Sequence, residues 1–455
     1  MHHRYRIFCS SLILSSGVAA QAQVINEDAF YFPEPTLQGG YGSAVDLDAG
    51  VMIVGAPGDS DLGVSAGAAY LVDIQLGTTI AKLTPAGVGT GDFFGTSVAI
   101  SGAYAAVSAP NDSDLGFDTG AVYIFESATG ALVRRIDGPG LNANFGNDID
   151  LDGSMLLVGA PEFDSGGEAY LFDAITGLLL QSFDKRSSFG FDQFGDGVAL
   201  DADAGIVAIS APGEFIPASN ERVGAVHLFS ASNGNFLRTM VSPASENTDF
   251  GVSLDTRDAL VLVGAPKYPD FVSDEGAAYL FDASNGSLLH TLRIDDAPSP
   301  TQFNSLGHSV QLGDGVALLG APGWDFAATG EGFNNGAGFI FSTGSGEELA
   351  TLIASVATLG DRIGDGVAID GTAIALGAPG DDYTGGFDAG SVGVYTYAPP
   401  CPADLNNDGV LNFFDVSAYL IAFNAMDLIA DFNNDGLFNF FDVSAFLSAY
   451  NAGCP

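Results

Sequence analysis

"FGTSVAISGAYAAVSAP", Phe94–Pro110, sets the reading of this chain. A short alternating run, Ser97–Ser101, turns at Ser101-Gly102 into a second apolar run, Tyr104–Val107, which Pro110 stops. Two β-rich runs divided by a glycine turn are a hairpin signature. Gly95 stands fifteen residues before Pro110, and the same pair returns as Gly42/Pro57, Gly146/Pro161, Gly251/Pro266, Gly307/Pro322 and Gly364/Pro379. Gly195/Pro212 is the same unit with two extra residues. The glycines are 53, 51, 49, 56, 56 and 57 residues apart, a period that means a propeller or solenoid. After each proline comes a loop of Asp, Ser and Gly, then a third strand ("GAVYIFES"), a turn ("ATG") and a fourth strand ("ALVRRID"). Four strands in seven units predict a mainly β fold, a seven-bladed β-propeller. The last unit ends at "GSVGVYTYAPP" without a fourth strand, and Ala29–Thr36 before the first unit is expected to supply it, closing the ring and covering a sheet edge.

The pairing of Phe94-Gly95 with Ser108-Ala109-Pro110, repeated in register, resembles the FG-GAP repeats of integrin-α-like propellers over residues 29–397. Such repeats often bind calcium in a D-x-D-x-D-G-x-x-D loop between their first two strands. Here that hairpin is short. "DIDLDG", Asp148–Gly153, fits superficially, but the closing acid is replaced by Leu156. Asp148 and Asp150 are therefore read as strand residues and Asp152 as a turn residue. Asp59, Asp61, Asp112, Asp114, Asp381 and Asp382 follow the prolines; they are too few per loop for calcium and are read as solvated turn residues.

The chain of 455 residues carries 13 basic against 56 acidic residues. That excess excludes nucleic acid as a partner, since phosphate contacts need Lys and Arg. Residues 1–22 read as a signal peptide: a basic "MHHRYR", a short apolar "IFCSSLILSSGVAA", and a small-residue cleavage site near Ala22. No later segment reads as transmembrane. A secreted, extracellular or cell-surface location follows. In that setting Cys401 and Cys454, the two cysteines beyond the signal, are expected to form one disulfide around the C-terminal module.

Residues 398–455 read as a separate module. "DLNNDGVLNFFD" (Asp404–Asp415) recurs as "DFNNDGLFNFFD" (Asp431–Asp442). Calcium takes six to eight oxygens, and an EF-hand loop presents them at positions 1, 3, 5, 7, 9 and 12 with Gly at 6. The first copy offers Asp404, Asn406, Asp408, the Val410 carbonyl, Asn412 and Asp415 around Gly409. The second offers Asp431, Asn433, Asp435, the Leu437 carbonyl, Asn439 and Asp442 around Gly436. Two Ca2+ ions are expected. A helix follows each loop, with Val416, Tyr419, Leu420 and Phe423, then Val443, Phe446, Leu447 and Tyr450, on its apolar face. Loop then helix, twice, with Asp at position 12, resembles a dockerin, and the "GCP" ending looks like the GC-type dockerin-like termini of exported bacterial proteins. The resemblance implies calcium-dependent anchoring to a cohesin-like or other surface-anchoring protein. Dockerin partner contacts often use loop positions 10 and 11. Here these are Phe413-Phe414 and Phe440-Phe441, apolar where cellulosomal dockerins commonly carry polar residues. The rings form either a docking patch or part of a very small core.

No catalytic constellation stands out. His227 sits in a strand slot held elsewhere by Tyr or Phe, His308 in the slot of Thr96, and neither has a metal-ligand partner at short spacing. There is no G-x-S-x-G elbow. Trp324, with Phe326 and Phe333, either stacks on a sugar or partner or packs within its own loop. The leading expectation is a non-enzymatic binding or adhesion protein whose propeller takes a protein or glycan ligand. The alternative is a dockerin-borne enzyme or accessory protein of extracellular polysaccharide degradation.

Overall fold

The computed structural model describes residues 22–32, 39–184, 192–216, 221–244, 248–267, 269–270, 273–274, 276–294, 304–325, 334–355, 358, 360–382, 388–398, 403–406, 410–432 and 437–452. The chain divides into two compact units, Met1–Thr396 and Tyr397–Pro455.

The first unit is a seven-bladed β-propeller. Blade 2 is typical: Val98–Ser101, Tyr104–Ala109, Ala121–Glu126 and Leu132–Asp137 form an antiparallel meander. The first strand of each blade lies against the first strand of the next, and Val367–Asp370 of blade 7 lies against Ala44–Asp48 of blade 1. Blade 7 takes its fourth strand from the other end of the chain, where Ala29–Tyr31 pairs antiparallel with Ser391–Thr396. Residues 33–36 of the expected closing strand lie outside the described residues. A strand the sequence reading did not anticipate, Gln23–Asn26, pairs parallel with Glu348–Ile353 and adds a fifth strand to blade 6. The segment before blade 1 thus covers the outer edges of two adjacent blades.

The core lies between blades rather than within one sheet. Phe94, which precedes the blade 2 glycine, is buried with Leu71 and Leu83 of blade 1 and Val107 of blade 2. Its ring meets Tyr123 edge-on at 5.4 Å. The same layer at the ring closure joins Tyr41 and Val54 of blade 1 to Val392 of blade 7.

The recurring glycine makes the joint. Its N–H donates to the carbonyl of the Gly or Ser before Ala-Pro in its own blade, at 2.8–3.0 Å in all seven blades. Its φ lies between 83° and 100° in every copy, a region that L side chains avoid. Its own carbonyl presses on the preceding blade. A Cβ on Gly55 would meet the Gly95 oxygen at 2.1 Å, and one on Gly377 would meet the Gly42 oxygen at 1.8 Å. The sequence period therefore records backbone-to-backbone packing between blades.

The second unit holds two helices, α1 (Phe413–Ala425) and α2 (Phe440–Ala452). Tyr419 stacks on Phe446 with ring centroids 4.1 Å apart, enclosed by Phe432, Phe438 and Tyr450. Leu420 and Leu447, expected on the buried face, are exposed. Each helix buries only a narrow stripe, centred on Val416, Tyr419 and Phe423 in α1, because a pair of short helices has one seam to cover.

Gly377→Ala should lower the unfolding midpoint in urea sharply, by an amount on the order of 3 kcal/mol, because the backbone φ there is ordinary and the cost is steric. Gly166→Ala, where a Cβ meets nothing within 4 Å, is the control and should change little.

Candidate functional site

The duplicated loops come first. Asp404 and Asp415, positions 1 and 12, are both buried, as are Asp431 and Asp442 in the second copy. The Asn412 N–H donates to Asp415 Oδ2 at 2.8 Å and the Asn406 N–H to its Oδ1 at 3.4 Å. These bonds, the Asn412 one foremost, hold the Asp415 carboxyl below the usual carboxylate range, and the Asp404 side chain acts in the same direction. The Asn412 side chain accepts from the Phe414 N–H at 2.7 Å, so positions 9 and 12 form a capping box that starts α1. Asn439 and Asp442 repeat the box, with bonds of 2.8 Å each. The Val410 and Leu437 carbonyls accept from the Asn412 and Asn439 amides at 2.8 and 3.1 Å. Asp408, Asn433, Asp435, Gly409, Gly436, Cys401 and Cys454 lie outside the described residues. Phe413, Phe414, Phe440 and Phe441 are 73, 68, 76 and 67% exposed, so none of the four packs the module's core.

The propeller axis carries the second arrangement. Aspartates on the first strands reach sideways to the next blade. Asp46 Oδ2 accepts from the Ile100 N–H at 2.8 Å, and Asp48 Oδ2 from Gly102 at 2.6 Å. Asp148, Asp150 and Asp152 accept from Val198, Leu200 and Ala202 at 2.9, 2.6 and 2.8 Å. Asp370 closes the ring by accepting from Ala49 at 2.8 Å. Asp148 and Asp150 are strand residues, as read, and Asp152 ends the strand Ile149–Asp152 rather than standing in the turn. Their shared work, bridging blades, was not legible from one unit alone.

Around the axis, Asp46, Asp148, Asp150, Asp196, Asp255 and Asp365 line a cavity of about 280 Å³ together with His308 and Gln311. The Gln311 amide reaches Asp46 Oδ1 at 3.1 Å. Burial pushes the carboxyls of Asp46, Asp148, Asp196 and Asp255 up from 3.8 to about 6. It raises Asp150 well above 3.8 too, aided by the charges of Asp255, Asp46 and Asp148. Such a channel attracts cations and repels anions. Among the described residues, no three His, Cys, Asp or Glu side chains converge closely enough to hold a metal ion.

The loops after the prolines overturn one expectation. Asp59 and Asp112 are not solvated: each is 1% exposed. Lys82 Nζ sits 2.7 Å from both Asp59 and Asp61, and Arg135 lies 2.9 and 2.7 Å from Asp112 and Asp114. The Tyr70 and Tyr123 hydroxyls donate to the same buried carboxylates at 3.1 and 3.0 Å. The missed signal was cross-strand register, since Tyr70 faces Lys82 and Tyr123 faces Arg135. Trp324 is buried and meets Phe339 edge-on at 5.0 Å, so it is part of its blade; Phe326 and Phe333 lie outside the described residues. His227 bonds Glu214 at 2.6 Å and Thr239 at 2.9 Å within blade 4.

The FG-GAP repeat family matches residues 78–125 and 347–395. Each match begins on the fourth strand of one blade and runs through three strands of the next, so it spans a joint. The chain carries FG-GAP repeats folded as a seven-bladed propeller. A solved structure with a related outline is the computationally designed Ika8 protein, 13% identical, with a TM-score of 0.46 over 78% of this chain and 83% of that one. No curated protein matches the chain. Among the described residues, no helix is long and apolar enough to cross a membrane.

The raised carboxyls fix a pH dependence. The native state holds protons on Asp46, Asp148, Asp196 and Asp255 more tightly than the unfolded chain does. Their contribution to stability is full below about pH 4 and is lost as pH rises through about 6. Exposed Asp173 and Asp282, whose carboxyls are lowered by hydrogen bonds to Thr176 and Ser284, act oppositely but in solvated turns. The thermal midpoint of the propeller should therefore be higher at pH 5 than at pH 7.5. Asp196→Asn keeps an acceptor for the Asn147 amide and removes the charge; it should raise the midpoint at pH 7.5 and flatten the profile.

Proposed function

We propose that this is an exported, non-enzymatic binding protein. Its propeller is a rigid platform for a protein or glycan ligand, and its C-terminal module binds two calcium ions and docks the protein to a surface partner. The observation that carries the reading is the duplicated pair of exposed phenylalanines, Phe413-Phe414 and Phe440-Phe441, at the first turns of the two helices. Four large rings left in water on so small a unit are costly unless something covers them. Docking to an apolar surface supplies that cover.

The donor set suits calcium. Asp404 with Asp415, and Asp431 with Asp442, set buried carboxylates at loop positions 1 and 12, the hard oxygen donors that a divalent cation takes. Asp408 and Asp435 would add the position 5 oxygens. Asn412 and Asn439, engaged as helix caps, would contribute through water, as position 9 often does. Calcium would tie each loop to the helix it caps, so that metal binding and helix formation are one event. It would also hold both phenylalanine pairs on ordered helical turns. The propeller's axial cavity and blade loops offer the ligand surfaces, in keeping with FG-GAP propellers as a ligand-binding fold.

Two measurements test this. Chelation of calcium from the mature protein should remove the helical circular dichroism of the C-terminal unit, and added calcium should restore it. Full helicity in chelator would contradict the calcium assignment. In the producing cells, the protein should fractionate with the envelope only when calcium is present, and Phe413→Ser with Phe440→Ser should release it while leaving helicity intact. Retention of that double variant would remove the phenylalanines from the docking surface.

A further inference from the structure

The loops after the prolines of blades 1 and 2 are near copies, "GDSDLGVSAG" (Gly58–Gly67) and "NDSDLGFDTG" (Asn111–Gly120). Their internal bonds are the same. The Gly63 and Gly116 N–H groups donate to the Ser60 and Ser113 carbonyls at 3.3 and 3.2 Å. The Ser60 and Ser113 hydroxyls accept from the Ser65 and Asp118 N–H at 3.1 and 3.0 Å. The Asp61 and Asp114 N–H groups donate to Oδ1 of Asp59 and Asp112 at 3.0 and 3.1 Å. Beneath each loop that buried carboxylate is gripped by Lys82 with Tyr70, or by Arg135 with Tyr123. Each loop is therefore fixed from within and from below.

What these loops hold up is apolar. Leu62 and Val64 are 51 and 72% exposed, and their counterparts Leu115 and Phe117 are 66 and 68% exposed. Phe93 and Leu141, on the connectors that lead into the next blades, are exposed as well. The six are contiguous. The Val64 and Ser65 carbonyls accept from the Gly91 and Phe93 N–H at 3.0 and 3.2 Å, so the blade 1 loop lies along the connector of residues 84–94. The far side of that connector meets blade 2, where a Cβ on Gly87 would stand 3.3 Å from the Arg135 guanidinium and 3.5 Å from the Asp114 carboxylate. The Phe117 carbonyl accepts from the Asn142 N–H at 2.9 Å, and Gly116 abuts Leu141. Exposed apolar side chains scattered singly are ordinary; a continuous strip on fixed loops marks a contact surface.

The border of the strip is acidic. Asp61, Asp114 and Asp137 are exposed, and Asp118 follows Phe117 half-buried. The two cations beneath are already engaged, Lys82 by Asp59 and Asp61, and Arg135 by Asp112, Asp114 and Asp137. Carboxylates therefore outnumber cations around the apolar side chains. A second copy of the chain, with 56 acidic residues against 13 basic ones, would bring the same sign of charge to this border. A neutral glycan needs hydrogen-bonding groups, and the side chains of Leu62, Val64 and Leu115 offer none.

We propose that this strip docks a protein segment carrying apolar side chains beside lysine or arginine. The proposal rests on the reading of the propeller as a binding platform and names the chemistry of what the platform takes. The partner's apolar side chains cover Leu62, Val64, Leu115 and Phe117, and its cations face Asp61, Asp114 and Asp118. Loops already fixed in shape need little ordering on binding, and the acidic border steers a basic partner toward them.

The test uses the full mature protein in saturating calcium, labelled at leucine and valine methyls and followed by NMR. The probe is a blocked peptide of alternating leucine and lysine. Saturable shifts are expected at Leu62, Val64 and Leu115 and not at Leu178 and Leu179, exposed leucines on the outer strand of blade 3 that serve as the internal control. Exchanging lysine for glutamate in the peptide should abolish binding, and exchanging leucine for serine should weaken it by about tenfold or more. Val64→Ser with Phe117→Ser should weaken it as much and leave the thermal midpoint unchanged, since both side chains are exposed. No saturable shift, shifts as large at Leu178 and Leu179, equal binding of the glutamate peptide, or full binding by the double variant would each overturn the proposal. Shifts that follow protein concentration without peptide would also overturn it, in favour of a second copy. A saturable response of the same methyls to cellohexaose in place of the peptide would overturn it while sparing the platform reading. Loss of docking by the C-terminal unit changes none of these readouts, because every reporter lies in the propeller.

Discussion

The propeller depends on one glycine turn repeated seven times: its N–H is bonded within its own blade in every copy, and in five joints its carbonyl is seated on a glycine of the blade before it, the seat being Ser108 or Ser210 in the other two. At Gly55 and Gly377 any side chain would collide with that carbonyl. The glycine that supplies it is also held in a left-handed conformation by a hydrogen bond within its own blade. Inter-blade geometry is thereby fixed by backbone atoms, and the aspartates on the first strands add a second set of bridges nearer the axis. Closure uses the same contact, between Gly377 and Gly42, as the joints at Gly55, Gly159, Gly264 and Gly320.

With the joint invariant, variation moves to the spaces the joint leaves alone. The axial cavity collects carboxylates because each bridging aspartate spends one oxygen on a neighbouring N–H and keeps its charge near the axis. The cost of that crowding appears as raised carboxyl pKa values. The spaces under the loops vary more freely: an ion pair over Asp59 and over Asp112, histidine with glutamate in blade 4, and tryptophan on phenylalanine in blade 6. One backbone frame thus offers several chemically distinct surfaces, which suits a binding platform.

Much of this was legible in the sequence, for identifiable reasons. The Gly-to-Pro spacing carries the fold because it measures a backbone turn whose glycine holds a positive φ in all seven copies and whose length changes little. The helices after the duplicated loops were legible for a similar reason, since Asn412 and Asp415, and Asn439 and Asp442, are caps as well as candidate ligands. Burial was harder to read. Asp59 and Asp112 looked like turn residues until register placed Lys82 and Arg135 over them. Leu420 and Leu447 fit a helical stripe, but the stripe was wider than the seam they could reach. The parallel strand Gln23–Asn26 left no trace, because edge pairing depends on what lies nearby in space rather than on its own pattern.

The account's central functional claim is that tight calcium binding belongs to the duplicated C-terminal loops and to nothing in the propeller. Calorimetric titration of calcium into the full mature protein tests it most directly. The account predicts two sites, both lost in the Asp415→Asn, Asp442→Asn double variant. No binding, or sites that survive in that variant, would contradict it.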